Sequence, residues 1–352
     1  MPNNFDIKSV KVIQAPLAGI SDIVFRGQVR KHHSKCLMTT EMISSEMLCN
    51  NPNPRIIQFE EFEYPLAFQL VGHKIDKMKR AASILAPYAS MIDINCGCPV
   101  KKVVVSGDGS AMMKTPELAA QILSAIKAET GLPVSAKFRL GWSEDSQNFI
   151  EFARMLEAVG ASFVTLHART RSQMYQDSAD WSKIKELVKA INIPVYANGD
   201  IKSLDDAIKC LKMTGAKGVS IGRGIMGDFT LPYRVERYIE DGTILPEPDL
   251  IQKIEMLKEH LHLEVQNMGE INGVKFMRKF YTYYISSVRN ASKYRNVLVQ
   301  LEREEEILKV SNYLQELNCL IIGLNNSIFY NRQVTKFIDW NKIYEDDLKF
   351  IS

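Results

Sequence analysis

Residues 195–224 read VYANGDIKSLDDAIKCLKMTGAKGVSIGRG. The stretch opens on a short apolar run, 195–198, and leaves it through Asn198-Gly199-Asp200. A helix-compatible segment follows at 204–213, with Ser203 as its candidate cap and Gly215 near its end. A second apolar run, 219–222, exits through Gly222-Arg223-Gly224. Strand, helix and strand in this order make a β-α-β unit, whose crossover pairs the two strands in parallel.

The same arrangement recurs toward the N-terminus. Apolar, often β-branched runs lie at 10–14, 37–40, 66–69, 91–95, 134–138 and 163–167, which brings the total to eight. Between them, 116–127 sets Leu118, Ile122, Leu123 and Ile126 at helical spacing, behind Thr115 as candidate N-cap and Pro116 at N1. Residues 149–159 repeat the pattern with Phe152, Met155, Leu156 and Val159. Eight such units in somewhat over 200 residues predict an α/β chain folded as a (β/α)8 TIM barrel. An open, doubly wound sheet would need a Gly-rich fingerprint after its first strand. Ala15-Pro16-Leu17-Ala18-Gly19 lacks the G-x-G-x-x-G spacing.

The rhythm stops near Pro246-Glu247-Pro248, after which helical periodicity alone runs over 251–265, 273–288 and 298–317. The expected organisation is a catalytic barrel over 1–243, a smaller all-helical domain over 244–325, and a C-terminal extension over 326–352 with no assigned role. Composition narrows the classes further. The 352 residues carry 44 Lys+Arg against 41 Asp+Glu, and 46% are apolar, which excludes intrinsic disorder. No apolar run reaches about 18 residues and no secretory leader opens the chain, so no membrane span or export is expected. Six cysteines in so long a chain read as reduced thiols in a cytoplasmic protein. The net charge of +3 argues against a molecule-wide nucleic-acid footprint and leaves room for a local basic patch.

In this fold the active site lies at the C-terminal strand ends. The runs exit into Gln14-Ala15-Pro16, Thr40-Glu41-Met42, Gln69, Asn95-Cys96-Gly97-Cys98-Pro99, Lys137-Phe138-Arg139, His167-Ala168-Arg169, Asn198-Gly199-Asp200 and Gly222-Arg223-Gly224. The last two loops follow strands seven and eight, where such barrels bind phosphate, although glycine turns can also merely close a barrel. Arg223 between two glycines favours phosphate. A flavin anchored there would extend its ring toward Lys137 and His167, where a positive group stabilises the reduced anion. Gln69 could meet the pyrimidine edge of that ring. His167 could instead be a satisfied core imidazole. Cys96 and Cys98 have no second Cys pair to complete a tetrahedral metal site, and His32-His33 with Cys36 is too short a cluster to assign one, so no metal is expected. Cys98, fixed between Gly97 and Pro99, suits proton donation, for which a neutral thiol of pKa about 8.5 suffices. Cys96 reads as inward packing.

Between 275 and 295 lie Lys275, Arg278, Lys279, Arg289, Lys293 and Arg295 without an acidic residue, interleaved with Phe276, Phe280, Tyr281, Tyr283, Tyr284 and Tyr294. Such a patch can neutralise phosphates while aromatics stack on bases. It can equally be a solvated cationic face over an aromatic core.

Ile94-Asn95-Cys96-Gly97-Cys98-Pro99, followed by Lys101-Lys102-Val103 and Gly107-Asp108-Gly109-Ser110-Ala111, resembles the signature of the tRNA-dihydrouridine synthase family. Ala15-Pro16-Leu17-Ala18-Gly19-Ile20-Ser21-Asp22, Lys137-Phe138-Arg139-Leu140-Gly141-Trp142, His167-Ala168-Arg169-Thr170, Asn198-Gly199-Asp200 and Ile221-Gly222-Arg223-Gly224 are similar to its other motifs, in order. The resemblance covers about residues 10–320 and implies an FMN-binding barrel followed by a helical RNA-binding domain. It implies reduction of the C5–C6 double bond of uridine in tRNA, with NADPH reducing FMN, hydride passing to C6, and Cys98 as general acid at C5. Pro16, Leu17, Ala18, Gln69, Lys137, His167, Asn198, Gly199, Asp200, Gly222 and Arg223 would hold FMN. Asn95 and Arg139 would contact the uracil, and the basic patch of the helical domain the RNA. Leu17 stands where the family more often has Met, a volume-conserving change. The expected partner is tRNA, with no membrane, no obligate protein partner, and a monomeric cytoplasmic enzyme. Two other functions share some of these features: a small-molecule flavoenzyme acting on a free dihydropyrimidine or dihydroorotate, and a non-catalytic RNA-binding protein on the same barrel.

Overall fold

The computed structural model describes residues 5–32, 34–50 and 57–328, with backbone alone for 319–328. The expected C-terminal extension therefore lies outside the described residues from 329 onward. Two compact units emerge. One runs through Ile225 and includes Phe229–Glu247; the other comprises Met226–Asp228 and the chain from Pro248.

The first unit is a closed parallel barrel. Its strands are β1 (Val12–Gln14), β2 (Met38–Thr39), β3 (Ile43–Ser44), β4 (Leu66–Val71), β5 (Met91–Cys96), β6 (Val134–Arg139), β7 (Val164–His167), β8 (Val195–Asn198) and β9 (Gly218–Ile221). They pair in the order β1-β9-β8-β7-β6-β5-β4-β2, with the short β3 also on β4. The ring closes where Gln14 N–H donates to the Leu37 carbonyl and Leu37 N–H to that of Val12, both at 3.0 Å. All eight expected runs are barrel strands. β3 is the addition: at two residues it is too short to leave a period-two signal.

The α-helices of this unit are α1 (Ile23–Lys31), α2 (Ser45–Asn50), α3 (Ile75–Leu85), α4 (Lys101–Val105), α5 (Pro116–Thr130), α6 (Phe149–Ala158), α7 (Trp181–Ala190), α8 (Leu204–Thr214) and α9 (Leu231–Asp241). The longer helices cover the barrel with apolar faces, whereas the short α4 buries none of its residues. In α5 Pro116 takes N1, Ile122, Leu123 and Ile126 are buried, and left-handed Gly131 ends the helix. Thr115 takes the cap position but makes no side-chain cap bond. In α8 the Ser203 hydroxyl accepts from Asp206 N–H at 3.1 Å, and Gly215 ends the helix at φ +68°. The N-terminal mouth is plugged by Val10, Ile13, Leu37, Ala67, Met91, Phe163 and Tyr196, with Phe5 and Ile7 packed beneath. A side chain at Gly218 would bring its Cβ to 2.0 Å from the Lys11 carbonyl, so the first and last strands can meet only at glycine.

A buried carboxylate fastens α9 to the segment before β2. Glu236 accepts from Ser34 Oγ at 3.2 Å and from Lys35 N–H at 2.9 Å. Burial pushes its pKa up to about 7. An unfolded glutamate titrates near 4.3. The folded state thus binds this proton more tightly than the unfolded chain. Stability falls as pH rises through that interval, and the loss is complete above the folded value. Glu236→Gln is expected to stabilise the barrel by about 1–3 kcal/mol near pH 8, with little effect near pH 5. Thermal melts at the two pH values check this, and an equal gain at both would contradict it.

The second unit is helical: α10 (Leu250–Met268), α11 (Glu270–Met277), α12 (Tyr281–Tyr284), α13 (Ala291–Leu298) and α14 (Glu304–Ile328). Asp249 and Gln252 form a reciprocal capping box at the start of α10. The single helix expected over 273–288 is instead two pieces. Phe280 N–H donates to Met277 at 2.8 Å and Tyr283 N–H to Phe280 at 2.9 Å, so two tight i→i+3 turns replace the regular ladder. Side-chain periodicity persists through such turns, which is why the pattern reads as unbroken. Residues 326–328 of the expected extension form the last turn of α14. Among the described residues, no helix is long and apolar enough to cross a membrane.

Candidate active site

The C-terminal strand ends enclose a cavity of about 340 Å³, a size suited to a cofactor. Every barrel residue expected to hold FMN, meet the uracil or donate the proton lines it. Pro16, Leu17 and Ala18 come from the loop after β1, Gln69 from β4, and Asn95 and Cys98 from β5 and its loop. Lys137 and Arg139 come from β6, His167 from β7, Asn198, Gly199 and Asp200 from β8 and its loop, and Gly222 and Arg223 from the loop after β9.

The loop that carries Cys98 is tied down from both sides. Asn95 Oδ1 accepts from Gly97 N–H at 3.1 Å and from Cys98 N–H at 2.9 Å. Ser110 N–H donates to the Cys98 carbonyl at 3.0 Å. Arg139 Nε donates to the Gly97 carbonyl at 2.8 Å. Gly109, at φ +59°, lets the following segment approach: a Cβ there would lie 2.8 Å from the Cys98 carbonyl. The half-buried Cys98 thiol has its pKa pushed up by burial, against a backbone hydrogen bond from Val100 and the charges of Arg139 and Lys137. The thiol is therefore protonated at neutral pH. Cys96 is wholly buried, and burial with the nearby Asp93 raises its pKa far more.

Lys137, Arg139, Arg169, Lys202 and Arg223 face this cavity. Asp200 is the carboxylate of its lining, and Arg169 Nη2 holds it at 2.7 Å. Such a wall fits an anionic ligand. Burial draws the Lys137 pKa down to about 8, helped by the Arg139 charge and opposed by Asp93. The His167 pKa is lowered well below its usual value by burial, then by Lys137, Arg139, Arg169 and Arg223. Arg169 Nη1 lies 3.3 Å from His167 Nε2. A guanidinium can only donate, so Nε2 accepts and the imidazole is neutral with its proton on Nδ1. His167 is thus a positioned hydrogen-bonding group and not a cation.

Arg139 is more engaged than its sequence position suggests. Besides Gly97, it donates through Nη1 to the carbonyls of Thr170 at 2.9 Å and Met174 at 2.7 Å. It therefore ties the loop after β5 to the loop after β7. The six basic residues between 275 and 295 lie in the helical unit. Lys275, Lys279, Arg289, Lys293 and Arg295 are exposed, whereas Arg278 is half-buried and donates to the Leu301 carbonyl at 3.3 Å. Phe280, Tyr281, Tyr284 and Tyr294 are core residues, so the aromatic half of the patch is mainly packing.

Among the cavity residues not singled out from the sequence as site residues are Arg169, Tyr175 and Lys202. Arg169 is buried and joins His167 to Asp200. Tyr175 stands half-exposed at the mouth, with the Arg139 guanidinium 5.3 Å and that of Arg223 5.4 Å from its ring centroid. Its signal was an aromatic in a polar loop after a barrel strand. Lys202 follows the Asn198-Gly199-Asp200 exit.

The family model for dihydrouridine synthases matches residues 13–319. The chain belongs to the dihydrouridine synthase family. Relatives agree with this membership along the barrel and helical unit alike. The probable tRNA-dihydrouridine synthase 1 of Synechocystis sp. is 36% identical over 298 residues, covering 84% of each chain. The tRNA-dihydrouridine synthase B of Pasteurella multocida is 33% identical over 308 residues, covering 85% of this chain and 90% of that one. Among solved structures, an old yellow enzyme homologue from Zymomonas mobilis covers 69% of this chain and 92% of its own at 13% identity and a TM-score of 0.46. That likeness is too distant to bear on the cofactor or substrate of this dihydrouridine synthase.

Proposed function

We propose that the protein reduces the C5–C6 double bond of uridines in tRNA to 5,6-dihydrouridine, with FMN as bound cofactor and NADPH as its reductant. The observation that carries this reading is the Cys98 thiol on the lining of a cationic cavity at the C-terminal end of the barrel, in a loop held by Asn95 and Arg139. Bound there and reduced, FMN would supply hydride to uracil C6.

The cavity residues fit that cofactor. Arg223 and the glycine turns at 199 and 222 suit a phosphate. Pro16, Leu17 and Ala18 offer an apolar wall for a flat ring, and Gln69, Lys137 and neutral His167 a polar edge. Asn198 and Asp200 shape the loop between them: Asn198 Nδ2 donates to the Ser220 carbonyl at 2.7 Å, and Asp200 accepts from Ala179 N–H at 2.7 Å.

Cys98 then gives its proton to C5, and the two additions together saturate the bond. Negative charge developing on the uracil oxygen during hydride addition meets the cationic lining. Asn95 accepts two backbone N–H bonds through Oδ1, so it would meet a uracil carbonyl only as a donor, through Nδ2. To reach the cavity the uridine must leave its stack, at an expense of a few kcal/mol that is smallest in flexible loops. The exposed Lys275, Lys279, Arg289, Lys293 and Arg295 would hold tRNA phosphates, with Arg278 contributing less. The reading carries with it a monomeric cytoplasmic enzyme, in keeping with the free thiols of the described cysteines.

Two results test it. Anaerobic NADPH should bleach the bound flavin, and unmodified tRNA should restore its colour. Recolouring by free uracil or orotate instead of tRNA would move the substrate to small pyrimidines. Arg223→Ala should purify with flavin occupancy reduced by about tenfold, the effect of losing one charge-assisted phosphate contact. A variant as yellow as the parent protein would remove Arg223 from the phosphate site.

A further inference from the structure

One carboxylate inside the barrel is not used by the reaction described above. Asp93, on β5, accepts through Oδ1 from Ser135 Oγ and through Oδ2 from Gln69 Nε2, both at 2.6 Å. Gln69 Oε1 in turn accepts from Asn95 Nδ2 at 2.8 Å. Asn95 Oδ1 accepts the N–H groups of Gly97 and Cys98.

The two ends of this chain fix its middle. Backbone N–H groups can only donate, so Asn95 must turn its oxygen to the Cys98 loop and its nitrogen to Gln69. Gln69 must then turn its oxygen to Asn95 and its nitrogen to Asp93, where an acceptor is required. No other pair of amide orientations satisfies every link. Asp93, Gln69 and Asn95 are at most 9% exposed, so solvent does not readily replace a lost partner. Burial works against the charged form of Asp93, while Ser135, Gln69 and the neighbouring Lys137 support it.

We propose that Asp93 is a positioning residue, which sets the place of the Cys98 thiol through the orientations of Gln69 and Asn95. The consequence for turnover rests on Cys98 being the proton donor; the positioning itself does not.

The test is the rate at which iodoacetamide alkylates Cys98 in the protein as purified, without NADPH or RNA, followed across neutral and alkaline pH by site-resolved mass spectrometry. Asp93→Leu keeps the branched shape and offers no acceptor. Its Cys98 should alkylate about tenfold faster, as one buried hydrogen bond no longer holds the loop. Asp93→Asn can turn its carbonyl to Gln69 and its amide to Ser135 Oγ, so it should retain the parent rate and pH profile although the charge is gone. If Asp93→Leu does not fold, Gln69→Met cuts the chain one link further on and carries the same expectation. The parent rate in folded Asp93→Leu or Gln69→Met overturns the proposal. So does an Asp93→Asn variant whose Cys98 reacts about tenfold faster than the parent's, as expected of Asp93→Leu. Absence of dihydrouridine formation would instead overturn the functional reading and leave the alkylation result standing.

Discussion

Cys98→Ala is expected to keep its flavin and its reduction by NADPH while dihydrouridine formation falls by about 10²–10⁴-fold, the range for a positioned general acid. The loop should survive the change. Its anchors use the Cys98 N–H and carbonyl, which alanine retains, and only Sγ is removed. Stopped-flow bleaching of the flavin reads the first half-reaction and recolouring with tRNA the second. The defect belongs to the second alone. The direction of the Cys98 shift adds a pH signature. Burial raises its pKa, so the donor stays protonated as pH rises, and the alkaline fall in kcat should begin above the ordinary thiol value of about 8.5. A full-speed Cys98→Ala enzyme would take the thiol out of the mechanism.

Arg139→Met should be the most damaging change to the barrel. The guanidinium is almost wholly buried and serves the carbonyls of Gly97, Thr170 and Met174. Methionine fills the apolar part of that space and leaves three acceptors without a donor. An expected loss of about 3–5 kcal/mol follows from unsatisfied buried groups of this kind. Denaturant titration of the variant checks it. The same substitution should loosen the Cys98 loop, since one of the three bonds holds Gly97. A shift below about 1 kcal/mol would mean that solvent reaches those carbonyls.

The barrel was legible because its eight strands are short apolar runs, each leaving through a polar or glycine-rich turn. Apolar periodicity and turn chemistry therefore pointed the same way. The cavity followed from the fold, because residues that end parallel strands must converge at one mouth. What the sequence hid has physical reasons. Asp93 sits within an apolar strand pattern, and its partners Gln69 and Ser135 come from β4 and β6; only strand register brings them together. Its signal was the charge itself, which a buried strand tolerates only with partners. Arg139 faces the cavity as expected, but its ties run to loops far along the chain. The break at Arg278–Phe280 left no mark because tight turns keep the spacing of buried aromatics. Lys137 and His167 could both be read as cations; the Arg169 donor at Nε2, the burial and the crowd of neighbouring charges show that His167 is neutral.

The most direct test combines the purified protein, FMN, NADPH and unmodified tRNA, with nucleoside mass spectrometry of the recovered RNA. The parent protein should yield dihydrouridine, heavier than uridine by the added hydride and proton, and Cys98→Ala almost none. Unchanged uridine in the presence of a flavin that NADPH still reduces would contradict tRNA as the substrate.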